Sequence, residues 1–175
     1  DLTNRRDWLT SVGAMSAGGL AAGSFGPRFN EAFGVDDANT PPANVGDRTL
    51  KKVEKIDTNG IVSTFAGSDP GFRDGRGTTA QFRTPISVAI DAQNNLYVAD
   101  FENARVRQIA PDGTVRTYAG SLRGYQEGPV ATALFDSPAH VAVGSDGTVC
   151  AADWGSGAIR KITRDGVVST SASQL

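Results

Sequence analysis

The sequence is poor in the residues that most often build compact chemical sites. It has one cysteine, Cys150, and one histidine, His140. A single thiol excludes an intrachain disulfide and a thiol–metal cluster. A single imidazole excludes a site made from several histidines of this chain. Charge of one sign is also lacking: the formal net charge is −2, which gives no strong pull toward polyanions or membrane surfaces. No P-loop, nucleophile elbow or Rossmann glycine run occurs. "GFRDGRG" (71–77) is glycine-rich, but no helical pattern follows it to receive a phosphate.

What is abundant is turn-forming chemistry. There are 21 glycines and 8 prolines in 175 residues, which favours many short strands over a helical bundle, within about one domain. The first 49 residues differ from the rest. Arg5 and Arg6 precede an uncharged stretch from Trp8 to Pro27, rich in Ala, Gly and Ser. That stretch is long enough to span a bilayer but too weakly apolar for a stop-transfer helix. A basic start before an uncharged small-residue run is the layout of an export signal. "NRRDWLT" (4–10) resembles a bacterial twin-arginine signal, with Asp7 as the variable residue, Trp8 and Leu9 as the bulky pair and Thr10 where lysine is common. The resemblance assigns 1–29 to a signal segment, with a candidate cleavage region near Ala21-Ala22-Gly23. It implies export to the periplasm or the cell exterior, with only transient membrane contact. The alternative is a non-globular tail, or a helix packed on the domain. Residues 30–49, with a Pro-Pro pair among acids and Asn, read as a linker. Because the first residue is Asp1, the chain is expected to be processed or a piece of something longer.

From residue 50 the chain repeats. Gly60, Gly113 and Gly166 are evenly spaced, and the same ungapped register lays "GIVSTFAGS" (60–68) over "GTVRTYAGS" (113–121) and "GVVSTSAS" (166–173). Phe82 meets Phe135, Pro85 meets Pro138, Asp100 meets Asp153 and Arg107 meets Arg160. Each copy parses into four short strands: 87–90 or 140–143, 96–99 or 149–152, 105–109 or 158–162, and 114–119 after 61–66 and before 167–172. Asp, Asn and Gly at the joints suit tight turns. Four strands per repeat at this period predict blades of a propeller. Taken together, "AGS", "DG", the Phe and Pro before the first strand, "NLYVAD" and "VRQI" resemble the NHL-repeat β-propeller family. The resemblance covers 51–175, as about two blades with partial flanking ones. It implies an all-β, partial propeller of four-stranded antiparallel blades after a non-globular N-terminal segment, its sheets stacked face to face. Ser87 and His140 depart from it, since the family has Gly before the "VA" strand.

Enzyme sites are asymmetric, so a residue in every copy is explained by what every blade needs. Asp100 and Asp153 are read as turn caps bonding the backbone N–H groups that follow. Arg107 and Arg160 are read as inter-strand or inter-blade partners, and Asp74 and Glu127 as turn residues. Cys150 is read as a small buried hydrophobe. Positions that do not repeat are the candidate ligand-binding residues. His140 and Ser87 lie at the start of the innermost strand, near the channel that a propeller encloses. His140 is either a hydrogen-bonded loop histidine or a ligand or base. Phe101 and Trp154 follow the repeated Asp, with Arg105 and Arg160 nearby, and either pack on the neighbouring blade or form a protein- or sugar-binding patch. No metal site or cofactor is assigned, because no run of converging acids appears.

The expected function is an exported propeller that binds an unidentified protein or carbohydrate ligand. The alternative is a metal-dependent lyase or lactonase-like hydrolase with His140 in a channel site, as the family resemblance allows. Nucleic acid is not an expected partner, since residues 51–175 hold 13 Lys and Arg against 13 Asp and Glu.

Overall fold

The computed structural model describes residues 32–34, 51–57 and 59–173. They form three antiparallel sheets in chain order. Sheet I holds β1 (Ala32–Gly34), β2 (Lys52–Ile56) and β3 (Val62–Gly67). Sheet II runs β4 (Gly75–Arg76), β8 (Thr114–Ala119), β7 (Arg105–Ile109), β6 (Leu96–Asp100), β5 (Pro85–Ile90) from edge to edge. Sheet III repeats that order with β9 (Gly128–Pro129), β13 (Val167–Ser173), β12 (Ala158–Ile162), β11 (Val149–Asp153) and β10 (Pro138–Val143). Sheets II and III are complete four-stranded meanders, each padded at its outer edge by two residues of the connection from the previous sheet.

Why the meander stacks is written in β6. A strand covered on one face alternates buried and exposed residues; all five residues of β6 are buried. Leu96 and Val98 point to sheet I, into a core with Val53 and Ala66 of that sheet and Phe82 of the incoming connection. Tyr97 and Ala99 point to sheet III, into a core with Val141, Val149, Ala151 and Ile162 of that sheet and Phe135 of its connection. Each fully buried aliphatic side chain of this kind contributes about 1.5–3 kcal/mol. Sheet-to-sheet stacking with β5 and β10 innermost makes the fold a partial β-propeller. Ser87 Oγ accepts the Val141 backbone N–H at 3.1 Å, so the inner strands of adjacent blades are joined directly.

Two details differ from the sequence reading. The segment expected as a linker contributes β1, which pairs with β2 from Ala32↔Ile56 to Gly34↔Glu54, so a third, partial sheet joins the two full ones. The rest of 30–49 and the signal-like segment 1–29 lie outside the described residues. Cys150 is half-buried rather than buried, because it lies on the face of β11 opposite the core shared with sheet II.

Candidate ligand-binding face

In a meander, the turn between the second and third strands leaves the sheet at the same edge as the connection into the first. In sheet II this edge holds the 3-10 turn Phe101–Asn103 and the connection 68–84. In sheet III it holds the 3-10 turn Trp154–Ser156 and the connection 121–137. The two edges lie side by side and form one face.

A buried ion pair fixes the backbone of that face. Arg107 and Asp100 are both fully buried and joined at 2.8 Å. The same guanidinium donates to Gln81 O (3.1 Å) and Arg73 O (3.0 Å), on opposite arms of the connection, and pairs with Asp74. It lies between the rings of Phe72 (4.9 Å) and Phe82 (5.1 Å). Asp100 Oδ1 accepts the Arg83 backbone N–H and Oδ2 accepts from Asn103. Burial pushes the Asp100 carboxyl upward from its ordinary value, against the downward pull of Asn103 and Arg107. Asp100 is therefore not the expected cap on the N–H groups that follow it. It ends β6, pairs in register with Pro85 and Arg105, and reaches back across the sheet edge. The strand geometry explains this: an inward-pointing side chain at a strand end reaches the neighbouring connection, and its own turn meets it through the Asn103 side chain rather than through backbone N–H groups.

Sheet III repeats the device with looser bonding. Arg160 donates to Leu134 O and Gln126 O, both at 2.9 Å, and lies between Tyr125 (4.6 Å) and Phe135 (5.1 Å). Its approach to Asp153 is 3.6 Å. Asp153 Oδ2 accepts from Asp136 N–H and Ser156, while Oδ1 has no partner among the described residues. Burial raises this carboxyl as well. Asp74 and Glu127 both accept the backbone N–H of the fourth strand, at Thr117 and Thr170. The ion pairs hold an unusual backbone: Thr84 (φ 58) and Ser137 (φ 72) are both left-handed, each immediately before a proline. Their carbonyls accept the N–H groups of Phe101 and Trp154 at 3.1 Å each, which seats the two aromatics.

Phe101 and Trp154 come together across the blade boundary, with ring centroids 6.1 Å apart and planes tilted by 33°. Trp154 is 71% exposed. Ser87 and His140 lie elsewhere, on the inner strands, opposite Ala99 and Ala152. Ser87 is committed to Val141; His140 is exposed on β10. Among the described residues no group of three His, Cys, Asp or Glu stands close enough to hold a metal ion.

The sequence reading missed a cavity of about 300 Å³ on the same face, lined by Gly124, Tyr125, Asp136, Gly155, Ser156, Ala158 and Ser173. Its counterpart on sheet II is filled. There Arg105 stacks on Phe72 at 4.1 Å, Asn103 donates to Gly71 O at 2.8 Å, and Arg83 pairs with Glu102 at 3.2 Å. The corresponding residues of sheet III are Ala158, Ser156, Asp136 and Gly155, so most of the filling side chains are missing. Gly155 is required by a close approach: a Cβ there would stand 2.2 Å from Asp136 O. Comparing residue volumes between the repeats, position by position, was the signal that would have found this cavity.

Residues 82–109 match the NHL repeat. The matched NHL segment runs from Phe82 through β5, β6 and β7, and so contains both members of the Asp100–Arg107 pair. Solved structures share the fold. A protein of unknown function from Bacteroides thetaiotaomicron is 30% identical, with a TM-score of 0.61 over 70% of this chain and 31% of that one. An auxiliary nutrient binding protein from Bacteroides ovatus is 23% identical, with a TM-score of 0.57 over 71% of this chain and 34% of that one. A gluconolactonase from Xanthomonas campestris, 16% identical, gives 0.51 over 72% and 44%. The chain thus spans from under a third to under half of the length of these structures. No curated protein matches it.

Proposed function

We propose that this chain contributes blades to an exported propeller that binds a protein or carbohydrate ligand on the face carrying Phe101 and Trp154. The observation that carries the reading is the aromatic pair itself. Two residues from successive copies, neither of them part of the repeated core, meet at 6.1 Å on a backbone pinned by buried ion pairs. Rigid aromatics on a fixed frame, such as the exposed Trp154 beside the partly buried Phe101, lose little entropy on binding and are the usual anchors of recognition surfaces. Cation-backed aromatics flank them, with Arg105 over Phe72 and Arg160 over Tyr125. The Bacteroides ovatus structure of the same fold is named an auxiliary nutrient binding protein, so a binding role is one that this fold hosts. Export rests on Arg5, Arg6 and the uncharged stretch after them.

The test is a Phe101→Ala/Trp154→Ala double variant, compared with the parent on a neutral-glycan array and in quantitative capture from envelope extracts. Ligands that bind the parent and are lost by the folded double variant support the reading. A parent and variant with the same ligand profile would overturn it. For export, residues 1–49 fused to a folded reporter should leave the cytoplasm, and Arg5→Lys with Arg6→Lys should retain the reporter inside.

A further inference from the structure

We infer that the cavity beside Tyr125 is a subsite for one uncharged sugar ring of a neutral oligosaccharide, an inference that rests on the binding-face reading above. The first support is the contrast between blades. The same backbone carries a filled position on sheet II and an open one on sheet III. The filling groups that differ are Arg105, Asn103 and Glu102 against Ala158, Ser156 and Gly155. The opening is about 300 Å³, at the small end of ligand sites and suited to a single ring.

The second support is the chemistry of the walls. Tyr125 is 53% exposed, with one ring face set by the Arg160 guanidinium at 4.6 Å and its hydroxyl held by Thr170 Oγ1 at 2.7 Å. That fixes the ring before any ligand arrives, as a platform for the C–H face of a pyranose. Asp136 pairs with Arg123 at 2.8 Å, so the polar wall offers both donors and acceptors without net charge. A hydroxylated ring, which both donates and accepts, fits such a wall. A charged ring would have to compete with that pair. Ser156 adds a hydroxyl, oriented by its bonds to Asp153. The turn that supplies Gly155 and Ser156 also carries the exposed Trp154, so a neighbouring ring of the same oligosaccharide has a second aromatic within reach.

Blade II itself supplies the blocking variant. Ala158→Arg with Ser156→Asn gives sheet III the residues that fill the counterpart position on sheet II, where the fold already accommodates them. Ser156→Asn alone is the milder second variant, since Asn103 keeps the equivalent carboxylate bond. Calorimetry with cello-, malto- and xylo-tetraose, and with a tetrameric hexuronate as charged control, reads the result on variants whose thermal unfolding matches the parent.

The expected result is binding of a neutral tetraose that falls roughly tenfold or more in the double variant, the loss typical of one anchor. The hexuronate should bind more weakly than its neutral counterpart. If a neutral tetraose binds, is lost in Trp154→Ala, and is unaffected by Ala158→Arg/Ser156→Asn, the face stands and the subsite falls. Equal or tighter hexuronate binding overturns the neutral-ring assignment. No binding of any tetraose at roughly millimolar concentration overturns the subsite outright, while the array and capture test above still judges the face.

Discussion

Blades II and III share a frame and differ in its lining. In both, a buried arginine sits between two aromatic rings, bonds the two arms of the incoming connection, and faces a buried aspartate at the end of the second strand. In both, a left-handed residue before proline presents its carbonyl to the aromatic that opens the next turn. Yet blade II closes its rim with Arg105, Asn103 and an Arg83–Glu102 pair, and blade III leaves the same place open. The bonding within the frame differs too. Asp100 meets Arg107 at 2.8 Å, and Asp74 joins them. Asp153 stands 3.6 Å from Arg160, and Glu127 turns to Thr170 instead. What repeats holds the face in place, and what does not repeat gives each blade its own surface.

The strongest way to break this comparison is to remove the arginines one at a time. Arg107→Leu leaves Asp100 buried without its charge partner and should cost about 3–5 kcal/mol in denaturant unfolding. Arg160→Leu, with its longer ion-pair distance, should cost clearly less. Equal costs would mean the tighter pairing of blade II carries no extra stability. Next in size is Gly155→Ala, which must push the Asp136 carbonyl aside and should destabilise by about 1–3 kcal/mol. Glu102→Ala, at the matching position, loses the ion pair to Arg83, whose guanidinium is exposed, and should cost under about 1 kcal/mol.

Smaller again is the contrast on the inner strands. Ser87→Ala strips the acceptor from the Val141 N–H and should cost about 1 kcal/mol, with faster amide exchange at Val141. His140→Ala, at the matching exposed position of blade III, should stay within about 0.5 kcal/mol of the parent. The smallest effect concerns acid. Hydrogen bonds from the Thr114 backbone and side chain hold the Asp112 carboxyl below its ordinary value. The unfolded chain therefore binds this proton at higher pH than the folded one. The stabilisation is full above the ordinary carboxylate value of 3.8 and is lost as pH falls through the lower folded value. Asp112→Asn should make the acid limb of a stability–pH curve shallower; an unchanged or steeper limb would contradict the assigned hydrogen bonds.

The blade architecture was legible because the repeat is ungapped and turn residues recur between its short apolar runs. Val98 and Ala99 announce burial on opposite faces once four strands are placed. The role of Asp100 was legible only in kind. Its recurrence with Asp153 marked a frame residue, but besides Asn103 of its own turn its partners come from 17 positions back and 7 ahead, across a sheet edge that local turn chemistry does not describe. The recurrence of Arg107 at a constant offset from it was the clue. Ser87 was noticed for failing to repeat, yet its bond runs to another blade and depends on stacking geometry. The open position beside Tyr125 was hidden because glycine, serine and alanine in a turn look like ordinary turn variation. Their meaning appears only when the larger residues at the same place in the previous copy are set against them.

The arginine that grips both arms of its connection has a further consequence. Because the guanidinium grips the two arms through backbone carbonyls as well as through the carboxylates that pair with it, the shape of the loop depends little on the residues that decorate its surface. A blade can therefore exchange its surface residues freely while its loop keeps the same course. Each repeat becomes an independently editable socket, and a ring of them could acquire new specificities one blade at a time without refolding the rest.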